Sequence, residues 1–283
     1  MADTFETKLD RYATLIVKVG VNVQPGQTVV VNAPLNAAPL VRLIGRKAYE
    51  AGAKDVHVEW SDEELTRIKY DLAPDEAFRE YPMWKAKGYE EMAEAGACFI
   101  SIKPPNPDLL KGVDPERIAT ANKTANRAMH KFRSYTMSDR VSWTVVSVAS
   151  PEWADKVFPD LPPSEREAAL WEAIFKAVRA DLDDPIGAWQ AHQERLNAKA
   201  EMLNRKRYKA LHFEAPGTQL TVGLPEGHLW VSGASVNERG VPFMANMPTE
   251  EVFTAPHRDR INGTVRSTKP LSYGGNLITN FSF

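Results

Sequence analysis

Apolar and polar residues follow one another along this chain with two periods, and the changes of period mark its elements. Between Phe5 and Val19 the positions Leu9, Tyr12, Ala13, Ile16 and Val17 recur at the spacing of a helix with one buried face, and Gly20 closes it. Gln24-Pro25-Gly26 is a turn opening into Thr28-Val29-Val30-Val31, an unbroken β-branched run that reads as a strand buried on both faces. A helix from about Ala37 to Ala51, stopped by Gly52, leads to a second strand at Val56–Trp60, and strand, helix, strand implies parallel pairing. The pattern recurs with a helix over Met83–Ala95, a strand at Ala97–Ile102, a helix over Pro115–Phe132 and a strand at Trp143–Val148. The fold class expected is α/β, with an open, mostly parallel sheet that holds both Thr28–Val31 and Ala97–Ile102.

Beyond Pro151 the chain turns helical. Pro162-Pro163-Ser164 leads into a helix over Glu165–Arg179, and Asp184-Pro185 offers a capping acid followed by proline at the first position of a helix running to about Arg207. Short strands then take over at His212–Glu214, Gln219–Val222 and Leu229–Ser232. The change of texture near Lys206 divides the chain into an N-terminal α/β domain, residues 1–206, and the first part of a β-rich α+β domain, residues 207–283. A length of 283 residues agrees with two units, each large enough to bury a core.

Charge narrows the partners. The 35 Lys and Arg against 37 Asp and Glu give a net charge of −2, which offers no basic field for nucleic acid and no polybasic patch for a membrane surface, so neither partner is expected. The single cysteine, Cys98, lies in an apolar run with no disulfide partner and reads as a core residue of a protein in a reducing compartment. The polar start Met1–Lys8 has no apolar segment behind it and no apolar run reaches membrane-spanning length, so a soluble, cytoplasmic protein is expected.

Candidate chemistry concentrates in Asn246-Met247-Pro248-Thr249-Glu250-Glu251-Val252-Phe253-Thr254-Ala255-Pro256-His257-Arg258-Asp259. Val252, Phe253 and Thr254 favour an extended backbone, and strand alternation sends Glu250 and Glu251 to opposite faces, so at most one of the two points into any given site. An ionised carboxylate at a rigid strand end is a hard ligand suited to a divalent cation. His257 and Asp259 would share a face if extended, but Pro256 before them argues for a turn and a structural role. His57, His192 and His212 read as hydrogen-bonded packing residues, and Asp181, Asp183 and Asp184 as acids at a helix start. No phosphate-binding glycine loop, H-E-x-x-H, zinc-spaced cysteine set or G-x-S-x-G elbow occurs.

This run, with Gly217–Leu224, Glu226–Trp230 and Gly263–Leu271 around it and Pro185–Asn197 and Leu203–Arg207 upstream, resembles the aminopeptidase T, AmpS and PepS family of metal-dependent exopeptidases, and the resemblance covers the whole chain. It implies an enzyme that acts on peptides, is expected as a homodimer, and uses two divalent ions (Zn, Co, Mg or Mn) to activate water against the first peptide bond. Carried onto the motif Pro-Thr-Glu-Glu-Val-Phe-Thr, it implies a metal ligand at Glu250, with Glu251 the alternative one residue on. The family's other ligands would lie beyond Phe283, which leads to the expectation of an incomplete chain, inactive and weakly metal-binding alone, with an open strand edge near Leu277–Phe283. The rival expectation is a non-catalytic α/β module for binding or dimerisation.

Overall fold

The β-branched runs come together as one parallel sheet of four strands: β1 (Thr28–Pro34), β2 (Asp55–Ser61), β3 (Cys98–Lys103) and β4 (Trp143–Ser147), in the order β2-β1-β3-β4. A computed structural model describes residues 3–103, 106–269, 271–273 and 276–278, the last two segments by backbone alone. Val29 of β1 pairs with Val56 on one edge and Cys98 on the other, so Thr28–Val31 and Ala97–Ile102 share the sheet as expected. Around it lie helices α1 (Phe5–Leu15), α2 (Ala38–Glu50), α3 (Glu63–Leu72), α4 (Met83–Glu94), α5 (Pro115–Ala128), α6 (His130–Met137), α7 (Pro151–Val157) and α8 (Pro163–Ala177).

Alternation along β1 divides the core in two. Val29 and Val31 join a large cluster with Leu9, Tyr12, Leu40, Ile44 and Phe175, whereas Val30 joins Tyr89, Phe99 and Tyr135 on the opposite face. All three valines are sealed from solvent, which is why the run carries no polar position. The buried Tyr12 hydroxyl is satisfied by donating to the Ser147 carbonyl at the end of β4, 3.0 Å away. Gly52, at φ +89°, ends α2 in the left-handed conformation that glycine adopts freely, with Ala53 N–H closing onto the Ala48 carbonyl.

Two helices differ in detail from the periodicity. The first is α-helical only to Leu15 and finishes as a turn of π-helix, Ile16–Gly20, which keeps Ile16 and Val17 buried. The helix expected over Pro115–Phe132 breaks at Met129, at φ −88° and ψ 7°, into α5 and α6. The break lets Phe132 stack its ring edge on Phe99 (4.8 Å between centroids) and Tyr89 (5.1 Å), contacts that sequence spacing does not reveal.

A long helix, α9 (Pro185–Lys206), follows, then β5 (Ala210–Ala215), β6 (Thr218–Gly223), β7 (Val231–Ser232), β8 (Ala234–Val236), β9 (Pro242–Met244), β10 (Val252–Phe253) and β11 (Ile261–Thr264). All pairings among β5–β11 are antiparallel: β11-β6-β5, β10-β7 and β8-β9. The compact units are Met1–Trp189 with Ala234–Pro248, and Gln190–Gly233 with Thr249–Phe283, so the division is not a single point near Lys206. Residues 234–248 return to the first unit because their apolar run extends its core: Val145 N–H donates to the Ala245 carbonyl (2.8 Å), Met247 N–H to the Val145 carbonyl (3.0 Å), and Met244 and Met247 are buried. Of the expected strand edge at Leu277–Phe283, residues 279–283 lie outside the described residues; 271–273 pairs antiparallel with 276–278. Among the described residues no helix is long and apolar enough to cross a membrane.

Cys98 is fully buried in β3, and burial pushes its thiol up to about 12. A buried, protonated thiol is a poor nucleophile. Iodoacetamide should therefore leave Cys98 unmodified in the native protein and label it fully after unfolding; mass spectrometry showing rapid native labelling would contradict a core role.

Candidate functional site

The second unit is organised along α9. The helix begins as its sequence requires, with Asp184 Oδ1 accepting from Gly187 N–H (2.9 Å) and Pro185 at the first helical position. From Gln190 onward its polar side chains hold the strands beside it. Asn204 clamps Trp230 at two points, its amide NH2 donating to the Trp230 carbonyl and its amide oxygen accepting from Trp230 N–H, each at 2.8 Å. Two turns earlier Asn197 Oδ1 accepts from the Ser232 hydroxyl (2.6 Å). These residues flank β7, which pairs with β10 through Val252 opposite Ser232 and Phe253 opposite Val231. Ala200, Leu224 and Trp230 form the small apolar core beneath, with Leu203, Leu211 and Val252 packed against it.

His192 acts on the segment that leads into β10. It is 4% exposed, and its Nε2 lies 2.8 Å from the Thr249 carbonyl oxygen. A carbonyl only accepts, so Nε2 carries the proton and Nδ1 is left to accept from the Arg195 guanidinium at 3.4 Å. Thr249 is also confined from the other side, since a Cβ at Gly233 would stand 2.5 Å from its side chain; glycine at 233 is what allows the close approach. Both constraints fix the backbone of the residue immediately before Glu250.

Glu250 itself lies ahead of β10, not within it, and its carboxylate is 61% exposed, with Oε2 3.4 Å from His192 Nε2. Glu251 is exposed as well, so the pair is not split between a buried and a solvated face, because the two-residue strand begins only at Val252. His192, read from sequence as a packing residue, is that and more, since it holds the Thr249 carbonyl. His212 pairs with the Thr221 hydroxyl across β5 and β6 (2.9 Å). His257 sits in a turn, accepting at Nδ1 from Asp259 N–H (3.2 Å), and Arg258 pairs with Asp259 (3.2 Å), in agreement with the proline before them. Among the described residues no three His, Cys, Asp or Glu side chains gather as a metal-binding group.

A divalent ion would therefore meet at Glu250 a hard, ionisable and accessible oxygen pair, while the imidazole beside it is turned proton-first toward a carbonyl and supports the backbone. The donor chemistry fits one ligand of a metal centre at this position. Sequence reasoning could not have found the role of His192, Asn197 and Asn204: they lie on one helix at non-repeating separations from the strands they hold, and only the tertiary pairing reveals them.

The chain belongs to the thermophilic metalloprotease (M29) family, whose model matches residues 5–283. It is 59% identical to Aminopeptidase 2 of Geobacillus stearothermophilus over 98% of this chain and 67% of that protein, and 56% identical to Aminopeptidase AmpS of Bacillus subtilis over 99% and 68%. Its fold matches wild-type AmpT from Thermus thermophilus with a TM-score of 0.91 at 42% identity, covering 98% of this chain and 68% of that one. Nothing in these matches bears out the expectation of a chain without the family's activity.

Replacing His192 by alanine removes the proton that satisfies the buried Thr249 carbonyl, and should lower unfolding free energy by about 1–3 kcal/mol, the cost of an unpaired buried acceptor. Urea denaturation measures this directly. A change indistinguishable from zero would mean that water replaces the imidazole and that the segment before Glu250 is not held from α9.

Proposed function

We propose that the protein is a metal-dependent aminopeptidase that removes N-terminal residues from peptides, with Glu250 a ligand of one of two divalent ions. The observation that carries this reading is the 59% identity, over nearly the whole chain, to a protein named as an aminopeptidase, together with a carboxylate that is accessible and backed by a constrained backbone. Divalent ions in such a site supply a water with its pKa lowered toward neutrality and polarise the scissile carbonyl.

What this chain's own residues do follows from their geometry. Glu250 offers its carboxylate oxygens at a position set by Thr249, and Thr249 is set in turn by His192 from one side and Gly233 from the other. The backbone before Glu250 is held before any cation binds, which lowers the ordering cost of binding. The Glu251 carboxylate is one residue on and exposed, available to solvent or to a charged substrate terminus. The reading carries with it a peptide substrate, a cytoplasmic setting and a homodimer; the lone core cysteine supports the second, and the substrate and the dimer rest on the family resemblance.

Glu250→Gln keeps shape and removes the anionic ligand. We expect hydrolysis of leucine p-nitroanilide to fall at least about a hundredfold and bound metal to drop, while Glu251→Gln stays within about tenfold of wild type. Activity of Glu250→Gln within tenfold, with the Glu251 variant inactive, would move the ligand one residue. Absence of turnover by the unmodified protein with Zn, Co, Mg and Mn would favour the non-catalytic binding module.

A further inference from the structure

The parallel sheet reverses its direction of winding at β1. From β1 the chain passes through α2 to β2 on one side, whereas from β3 it passes through α5 and α6 to β4 on the other. Connections that leave neighbouring parallel strands in opposite directions open a crevice outside their carboxyl ends. Here that crevice is a cavity of about 480 Å3, lying over Asn32 of β1, Trp60 and Ser61 of β2, and Ser101 to Lys103 of β3, and bounded by Tyr81, Phe132 and Arg133. The volume falls within the range of small-molecule sites, about 300–1,000 Å3.

Its charge is specific. Lys85 and Glu59, both in the wall, neutralise one another at 2.5 Å, and the Tyr89 hydroxyl hydrogen-bonds the Asn32 side chain. Lys103 and Arg133 remain, and among the described residues neither has a carboxylate within ion-pair distance. Two uncompensated cations facing one cavity, one a point charge and the other a planar fork, suit a single anionic head. Tyr81 and Phe132 supply aromatic surface beside it, and Ser101 adds a hydroxyl.

The adjoining cleft over the same strand ends has the opposite sign. Asp62, Glu63, Glu64, Asp108 and Glu152 line it against the cation Arg67, which pairs with Asp71, and although Asp108 pairs with Lys156 the acids are in excess; burial, with the nearby Glu152 and Asp62 charges, raises the Glu63 carboxyl above its ordinary value. An anion is repelled there, which confines it to the Lys103 and Arg133 side.

We propose that this crevice binds a small molecule with an anionic head, phosphate or carboxylate, joined to a flat ring, the head between Lys103 and Arg133 and the ring against the aromatic wall. The crevice lies wholly within the first unit, and the proposal does not depend on the role of Glu250. The loop after β1, Leu35-Asn36-Ala37, contains no glycine, so the head is held by side chains and not by a cradle of backbone amides.

Calorimetric titration in low salt with adenosine monophosphate and, separately, N-acetyltryptophan tests this and distinguishes the two sources of the head. Tighter binding of the first assigns a phosphate ligand, and of the second a carboxylate such as a peptide C-terminus. In either case K103A/R133A should weaken binding at least about tenfold, and K103E/R133E, which reverses both charges, should weaken it further. Failure of both probes to bind at about 5 mM, or equal binding by K103A/R133A and wild type, would overturn the proposal.

Discussion

A strand sealed from water on both faces must find hydrogen-bond partners for every backbone group along both edges, and β1 imposes that constraint on the first unit. Val29, Val30 and Val31 have no access to solvent, so an unpaired N–H or C=O among them would cost several times what an ordinary hydrogen bond contributes. The parallel neighbours β2 and β3 satisfy the two edges, and parallel neighbours in turn require crossover helices that cover both faces. The two clusters around Val29 with Val31 and around Val30 are the packing consequence. The functional consequence is the crevice at the carboxyl ends, where the crossovers diverge.

The second unit has short strands and little apolar area, and it relies on polar side chains of α9 for definition. Asn204, Asn197 and His192 each satisfy a group on the strands or on the segment before β10, and each is specific in direction as apolar contacts are not. That precision is what a metal ligand needs, because a carboxylate displaced by an ångström loses its ion. Placing the constraint on Thr249 leaves the Glu250 side chain accessible while its backbone is fixed.

Much of this was legible in the sequence where one force dominates. The β-branched run of β1 and the Asp184-Pro185 start of α9 are set by burial and by capping, both local in the chain, and the structure has them where the residues place them. Less was legible where tertiary contacts outweigh propensity. The break at Met129 answers to Phe99 and Tyr89, which lie far away in sequence, and the return of 234–248 answers to Val145. At the candidate site, periodicity treated Glu250 and Glu251 as strand residues on opposite faces, but the strand starts at Val252 and both are exposed. Family resemblance singled out Glu250, and the structure adds the buried imidazole that holds its neighbour.

The central claim is that Glu250, held in place through Thr249, ligates a divalent ion. Crystals of the protein grown with zinc, with data collected at the zinc absorption edge, test it without recourse to activity. The account predicts an anomalous peak about 2.0–2.2 Å from a Glu250 carboxylate oxygen, with the His192 to Thr249 hydrogen bond unchanged. A metal peak elsewhere in the protein, with Glu250 oxygens in contact only with solvent or His192, would contradict it.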